Sequence, residues 1–250
     1  MRVGFIGTGE IAAAMVRGLV GRGHAIIVSV RNAEKAAHLA HEVPEVHVAD
    51  NADVVAGADV VFLCLMADVA QRVLSDLPFR ADQSVISVMA DVALADLRSY
   101  CAPATDIAVT IPLSAIATGG SMLPVFPASA ALEQLFGDSD TILPVASEKA
   151  LNAYFGGSAL SAPLIAMMQT GSKWLAEQTG DPKGAETYVA GVFAAFLREM
   201  IETGADFDTL LKGLATEGGL NASLKSHMAH AGAHEALTEG LDALKPRLGL

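Results

Sequence analysis

Up to about Val145 the apolar positions come in short continuous runs, at Val3–Ile6, Ala25–Val30, Val46–Val48, Ala58–Leu65, Ser84–Met89 and Ile107–Ile111. Runs of this length without alternation predict strands buried on both faces, as in a parallel sheet. Helical patterns separate them, from Ala13 to Leu19, Glu34 to Glu42, Asn51 to Ala56 and Val69 to Leu74, and within Phe126–Phe136. Thr141–Val145 reads as an edge strand because of Pro144, which cannot donate to a ladder. The alternation predicts a doubly wound α/β sheet that receives ligands at the carboxyl ends of its strands.

From Ser147 onward the strand pattern stops. A long helix is expected from Glu148 to Gln178, closed by Gly180. Asp181 as N-cap and Pro182 in the first turn start a second helix, which runs to Glu202 and ends at Gly204. Asp206 caps a short helix to Lys212, Thr216–Gly219 forms a loop, and further helices cover Leu220–Ala231 and Glu235–Leu244. The expected architecture is a Rossmann-like doubly wound domain over residues 1–147, then an all-α dimerisation and substrate domain over residues 148–250. So many apolar helical faces exceed what one small bundle can bury, so a homodimer or higher homo-oligomer is expected.

The first strand runs into Gly7-Thr8-Gly9-Glu10-Ile11-Ala12 and then a helix, the strand–turn–helix form of a dinucleotide-binding fingerprint. Gly7 can make the tight turn, Gly9 lets a pyrophosphate approach the backbone, and Ala12 lets the helix pack close to the strand. The unpaired N–H groups at the helix start, around Glu10 and Ile11, would face the phosphates. A βα turn that holds no ligand is the competing reading. The second strand ends at Ser29, Arg31 and Asn32, where an NAD-binding unit would place an acid for the ribose hydroxyl. A hydroxyl, a guanidinium and an amide suit a 2′-phosphate instead, which favours NADP(H). The competing reading of Arg31 is a solvated charge at a strand end.

Composition narrows the classes. At 250 residues the chain exceeds one typical domain, and 52% hydrophobic against 5% aromatic residues fits an Ala-, Val- and Leu-rich α/β core with closely packed helices. A net charge of −12 argues against nucleic-acid binding, which needs clustered Lys and Arg. Mean hydropathy is positive. The two long uncharged stretches, Ile107–Leu132 and Ala150–Ser172, nevertheless carry prolines, glycines and polar residues, so no membrane span is expected. Residue 1 leads directly into a strand, so no signal peptide is expected either. Cys64 and Cys101 form no disulfide framework and suit a reducing compartment, so a cytoplasmic location is expected. His227, His230 and His234 have a metal-like spacing, but Gly232 is expected to break the helix between them. They read as a solvated face, and no metal is expected.

Several local patterns resemble the pyrroline-5-carboxylate reductase family across nearly the whole chain. They are the opening G-F-I-G-T-G-E-I-A from Gly4, V-S-V-R-N at Val28–Asn32, A-D-V-V-F-L at Ala58–Leu63 and A-F-L-R-E-M-I-E-T-G at Ala195–Gly204. T-E-G-G-L-N at Thr216–Asn221 stands where the family has S-P-G-G-T-T. The resemblance implies a Rossmann domain, a helical domain that interlocks between subunits, and NAD(P)H-dependent reduction of a cyclic imine to L-proline. It also implies cofactor contacts at Leu65 and Met66, after the fourth strand, and at Pro112. Ile111-Pro112-Leu113-Ser114-Ala115 replaces the family's M-P-N-T-P, and Cys64-Leu65-Met66-Ala67 replaces its A-V-K-P.

For the substrate, Thr216, the Gly218 and Gly219 amides and Asn221 are the candidate catalytic and binding residues. The two amides could form an anion nest, and Asn221 stands where the family's Thr meets the ring nitrogen. An ordinary helix-to-helix turn competes with this reading, and Glu217 would repel an anionic substrate. Three functions stay open: a pyrroline-5-carboxylate reductase, a reductase of the same build acting on a different imine or carbonyl such as a keto acid, and a non-catalytic dinucleotide-binding dimer.

Overall fold

The computed structural model describes residues 1–30 and 32–250. The chain forms two compact units, Met1–Phe155 with Pro246–Leu250, and Gly156–Lys245.

In the first unit the elements are β1 (Arg2–Ile6), α1 (Glu10–Leu19), β2 (Ala25–Ser29), α2 (Ala33–Glu42), β3 (Val46–Ala49), α3 (Asn51–Gly57), β4 (Val60–Leu63), α4 (Ala67–Leu74) and β5 (Ser84–Ser87). They continue with α5 (Leu94–Tyr100), β6 (Asp106–Thr110), a 3₁₀ turn (Ser114–Ala117), β7 (Met122–Phe126), α6 (Ala130–Phe136), β8 (Thr141–Pro144) and α7 (Glu148–Ser158), whose last residues enter the second unit. The sheet order is β3-β2-β1-β4-β5-β6-β7-β8. All neighbours are parallel except β6 and β7. The order reverses between β1 and β4, the switch point at which such sheets open a crevice.

The continuous apolar runs are explained by burial on both faces. Val3, Phe5, Val60 and Phe62 pack on one side with Ala12, Met15 and Val16 of α1 and Phe136 of α6. Ile6, Val61 and Leu63 pack on the other side with Val54 of α3, Leu74 of α4 and Leu97 of α5. Each fully buried side chain of this size contributes about 1.5–3 kcal/mol. Phe5 stacks on Phe62 with centroids 5.0 Å apart, and Phe136 meets Phe62 edge-on at 6.2 Å.

Three features differ from the pattern reading. β7 was hidden by Pro124, α5 was not expected, and the helix expected from Glu148 to Gln178 is two helices. α7 stops at Ser158, and a new helix, α8 (Ser161–Thr179), begins beyond Ala159 and Leu160. Pro163 is the cause, since its ring would collide with the carbonyl of residue 159 in a continuous helix and it has no N–H to donate. At position three of a new helix that missing donor costs nothing.

The last residues return to the first unit. α13 (Lys245–Leu248) buries Leu248, whose carbonyl accepts from Asn152 Nδ2 at 3.0 Å. Arg247 forks onto Asp91, and Glu148 accepts the Leu94 N–H at 2.6 Å. The second unit holds α8, α9 (Pro182–Thr203), α10 (Phe207–Leu214), α11 (Leu220–His230) and α12 (Ala233–Asp242). Its punctuation follows the sequence: Gly180 and Gly204 close helices in the left-handed region, and Asp181 and Asp206 cap the next ones through Gly184 N and Thr209 N. Among the described residues no helix is long and apolar enough to cross a membrane.

One ion pair supplies a pH prediction. The Asp59 carboxylate accepts from Arg2 Nε and from the Arg2 backbone N–H, and these bonds hold it at about 2 against the ordinary 3.8. A depressed carboxyl contributes stability that is present above the ordinary range and lost as pH falls through the folded value. Both side chains are well exposed, so solvent screens the pair and its contribution to stability is small. Asp59→Asn is expected to be slightly less stable than the parent at pH 7, with the difference closing between about pH 4 and pH 2 in acid-denaturation curves.

Candidate functional site

The glycine turn lies at the carboxyl end of β1, next to the end of β4, where Ile6 pairs in register with Leu63. Gly7 sits at φ +97, and a Cβ there would lie 2.3 Å from the Cys64 carbonyl oxygen. Its glycine is dictated by the protein itself. Gly9 is different. Its backbone is extended, at φ −95 and ψ −172, a conformation open to any residue, and a Cβ there would meet nothing within 4 Å. The turn therefore leaves a space at Gly9 that no part of the described chain fills. Gly9 is also the N-cap of α1 and offers no side-chain cap, so the first-turn amides beyond Glu10, at Ile11 and Ala12, stay available to an anion. This is the arrangement a dinucleotide pyrophosphate fits.

Two hydroxyls fix the turn. The Gly7 N–H donates to Ser29 Oγ at 2.8 Å, and Thr8 Oγ1 donates to the Ser29 carbonyl at 2.6 Å. Ser29, expected to offer its hydroxyl to a 2′-phosphate, is instead fully buried and holds the glycine turn to the end of β2. Thr8 was missed by the sequence reading, and its only signal is its place between the two glycines. Asn32 caps α2, its Oδ1 accepting from Lys35 N at 3.1 Å. Arg31 lies outside the described residues. Glu10 pairs with Lys35, and that contact keeps its carboxyl below the usual range.

Leu65 and Met66 follow β4 beside the turn. Leu65 Cδ2 is one of the atoms nearest to the Gly7 position, and Met66 is exposed as the N-cap of α4. Pro112 is buried just after β6. Cys64 and Cys101 are free, and burial pushes both thiols up to about 12.

In the second unit, Thr216–Gly219 lead into α11. Gly218 has φ +77, and Gly219, the N-cap, spends its N–H on the Thr216 carbonyl at 3.0 Å. One of the two amides expected to receive an anion is thus committed within the loop. Asn221 Nδ2 donates to the Leu214 carbonyl at 3.2 Å, which leaves Oδ1 as its acceptor. Glu217 is exposed, and Leu220 is 91% exposed. The three histidines are divided between α11 and α12 by Gly232, at φ 78. Among the described residues no group of three metal-binding side chains is gathered.

Residues 2–91, which include the glycine turn, match the family described as NADP oxidoreductase, coenzyme F420-dependent. Over its whole length the chain has the fold of the pyrroline-5-carboxylate reductases. It superposes on that enzyme from Streptococcus pyogenes with a TM-score of 0.84 at 19% identity, covering 100% of this chain and 99% of the other. The Plasmodium falciparum pyrroline carboxylate reductase, solved with NADP bound, gives 0.83 at 12% identity, covering 99% and 97%. An imine reductase from Aspergillus terreus, in complex with NADPH4 and dibenz[c,e]azepine, gives 0.58 at 17% identity, covering 100% and 91%. Comparison with curated protein sequences gave no significant match.

Proposed function

We propose that this chain is an NADPH-dependent reductase of a carbon–nitrogen double bond, acting on a small cyclic imine. The observation that carries the reading is Gly9, a glycine that neither backbone conformation nor packing requires, at the uncapped start of α1. The likeness in fold to pyrroline-5-carboxylate and imine reductases supports the reaction class. The pyrophosphate would rest on the first-turn amides of α1, with Leu65 and Met66 along the dinucleotide. When bound, the reduced nicotinamide supplies a hydride. The protein's share is to place the imine carbon against it and to exclude water, and the Thr216–Asn221 loop is the segment we assign to the substrate. Steady-state NADPH oxidation with pyrroline-5-carboxylate, whose reduction gives L-proline, tests the reading first. The altered residues of that loop favour a second reading, the same chemistry on a different imine or keto acid, which a panel of such compounds separates. If NADPH binds and none of them turns over, the chain is a dinucleotide-binding protein without this activity.

NADP over NAD rests on Arg31, two residues past the end of β2 where an acid would serve NAD. Arg31→Asp removes a charge-assisted contact and adds repulsion to the 2′-phosphate. It is expected to weaken NADPH by about one to two decades, a few kcal/mol, while sparing NADH. Equal losses in a fluorescence titration of both cofactors would overturn the assignment.

The proposal includes a homodimer, acting in the cytoplasm, where free thiols stay reduced. On α9, Phe193, Leu197 and Ile201 repeat every four residues and are all exposed, Ile201 at 77%. Leu164, Met167 and Trp174 form a second exposed stripe on α8. Faces like these mark protein contacts. Light scattering at micromolar concentration is expected to give a dimer or larger, and Phe193→Glu with Ile201→Glu to give a monomer that still binds cofactor. A stable parent monomer would contradict this.

A further inference from the structure

Residues 88–93, between β5 and α5, read Val-Met-Ala-Asp-Val-Ala, so Asp91 is the one polar side chain of that loop. Its carboxylate is committed. Arg247 Nε donates to Oδ1 at 3.1 Å and to Oδ2 at 3.0 Å, and Nη2 donates to Oδ2 at 2.5 Å. Arg247 is itself set in place by its neighbours. Pro246 has a fixed φ, and Leu248 is buried, its carbonyl bound by Asn152 of α7. The planar fork therefore meets Asp91 already oriented. Ser87 Oγ holds the near end of the loop, accepting the Met89 N–H at 3.2 Å, and Glu148 holds the far end through Leu94 N. Without Arg247 the middle of the loop loses its side-chain tether.

The loop lies at the carboxyl edge of the sheet, across the switch point from β2. Cys64 N donates to Ile6 O at 2.8 Å and Val88 N to Leu63 O at 3.1 Å, so the ends of β1, β4 and β5 stand in succession. Two strand spacings put the start of the loop roughly 10 Å from the glycine turn. A dinucleotide with its pyrophosphate at Gly9 and its adenosine toward β2 carries its nicotinamide over β4 and β5. We infer that Arg247 is a positioning residue for the nicotinamide: through Asp91 it fixes the loop after β5 against which the ring rests. The inference rests on the reading of the glycine turn as a dinucleotide site.

The fork acts on geometry more than on energy. The Arg247 and Asp91 side chains are 70% and 28% exposed, so solvent screens their charges and the pair adds little stability. The pyrophosphate and 2′-phosphate are held at β1 and β2, so affinity for the cofactor does not depend on the fork. Hydride transfer does, because it needs reacting atoms about 3–3.5 Å apart, and a displacement of about 1 Å can cost a hundredfold.

Reduced nicotinamide reports its own immobilisation by fluorescence. The test measures the fluorescence lifetime of NADPH bound to the full chain. Beside it stand the dissociation constants of NADPH and of adenosine 2′,5′-bisphosphate, which lacks the nicotinamide. Arg247→Ala is expected to shorten the bound lifetime at least halfway toward that of free NADPH. Both dissociation constants should stay within about twofold of the parent, and the melting temperature within about 4 °C. Asp91→Asn is expected to give the same pattern, and Asp91→Arg combined with Arg247→Asp to restore the lifetime. Where pyrroline-5-carboxylate is turned over, kcat of Arg247→Ala is expected to fall about tenfold while KM for NADPH holds. A parental lifetime or kcat in the single variants overturns the inference, as does an equal loss of affinity for both ligands. If neither ligand binds the parent protein, the dinucleotide reading fails and the inference with it.

Discussion

Replacing Gly9 by valine is expected to leave the protein folded and to weaken NADPH binding by about a hundredfold or more. The extended backbone at Gly9 suits a β-branched residue, and the added atoms meet no protein group within 4 Å. The cost to folding is confined to a poorer N-cap, under about 1 kcal/mol. The cost to binding is steric, because the side chain fills the place where the pyrophosphate must approach α1. A hundredfold loss corresponds to about 2.7 kcal/mol, less than the combined contribution expected of several amide–phosphate bonds. Paired thermal unfolding and NADPH fluorescence titrations read the two effects separately. Unchanged affinity would mean that the turn holds no dinucleotide.

Gly7→Ala is expected to do the reverse, with the principal loss in stability. An alanine at φ +97 carries about 1–2 kcal/mol of backbone strain, and its Cβ would sit 2.3 Å from Cys64 O. That oxygen belongs to backbone anchored in the sheet, since Cys64 N donates to Ile6 O at 2.8 Å, so the clash is relieved only by parting β1 from β4. Overpacking of this kind adds roughly 1–3 kcal/mol. At about 2–4 °C per kcal/mol for a chain of this size, the melting temperature should fall by roughly 10 °C. A melting temperature within about 2 °C of the parent would show that the turn can relax where the packing says it cannot.

The different fates of two neighbouring glycines show what a sequence discloses. The motif made both legible, yet only the three-dimensional neighbours separate the glycine required by the fold from the one left for a ligand. The strands were legible because burial on both faces writes itself as unbroken apolar runs, and the helix ends because Gly180, Asp181, Gly204 and Asp206 act locally. β7 was not, since Pro124 argues against a strand with neighbours on both sides. It is tolerated because the β6–β7 ladder covers only Val109–Phe126 and Thr110–Val125, leaving Pro124 just beyond it. The break between α7 and α8 was written in Pro163 but masked by apolar residues on both sides. Ser29 looked like a ligand hydroxyl because its partner Gly7 lies 22 positions away. No local pattern announces a hydrogen bond of that span.

The return of Arg247 and Leu248 to the first unit bears on how the protein is made. A ribosome delivers residues 156–245 before the segment that completes the β-sheet unit. While the helical unit is being synthesised, the nascent sheet unit lacks the Leu248 side chain, the Asn152 amide has no Leu248 carbonyl to meet, and Asp91 waits for its guanidinium. Completion of the first unit is therefore coupled to synthesis of the second, and a ribosome stalled within α12 would carry a sheet unit without its final clasp.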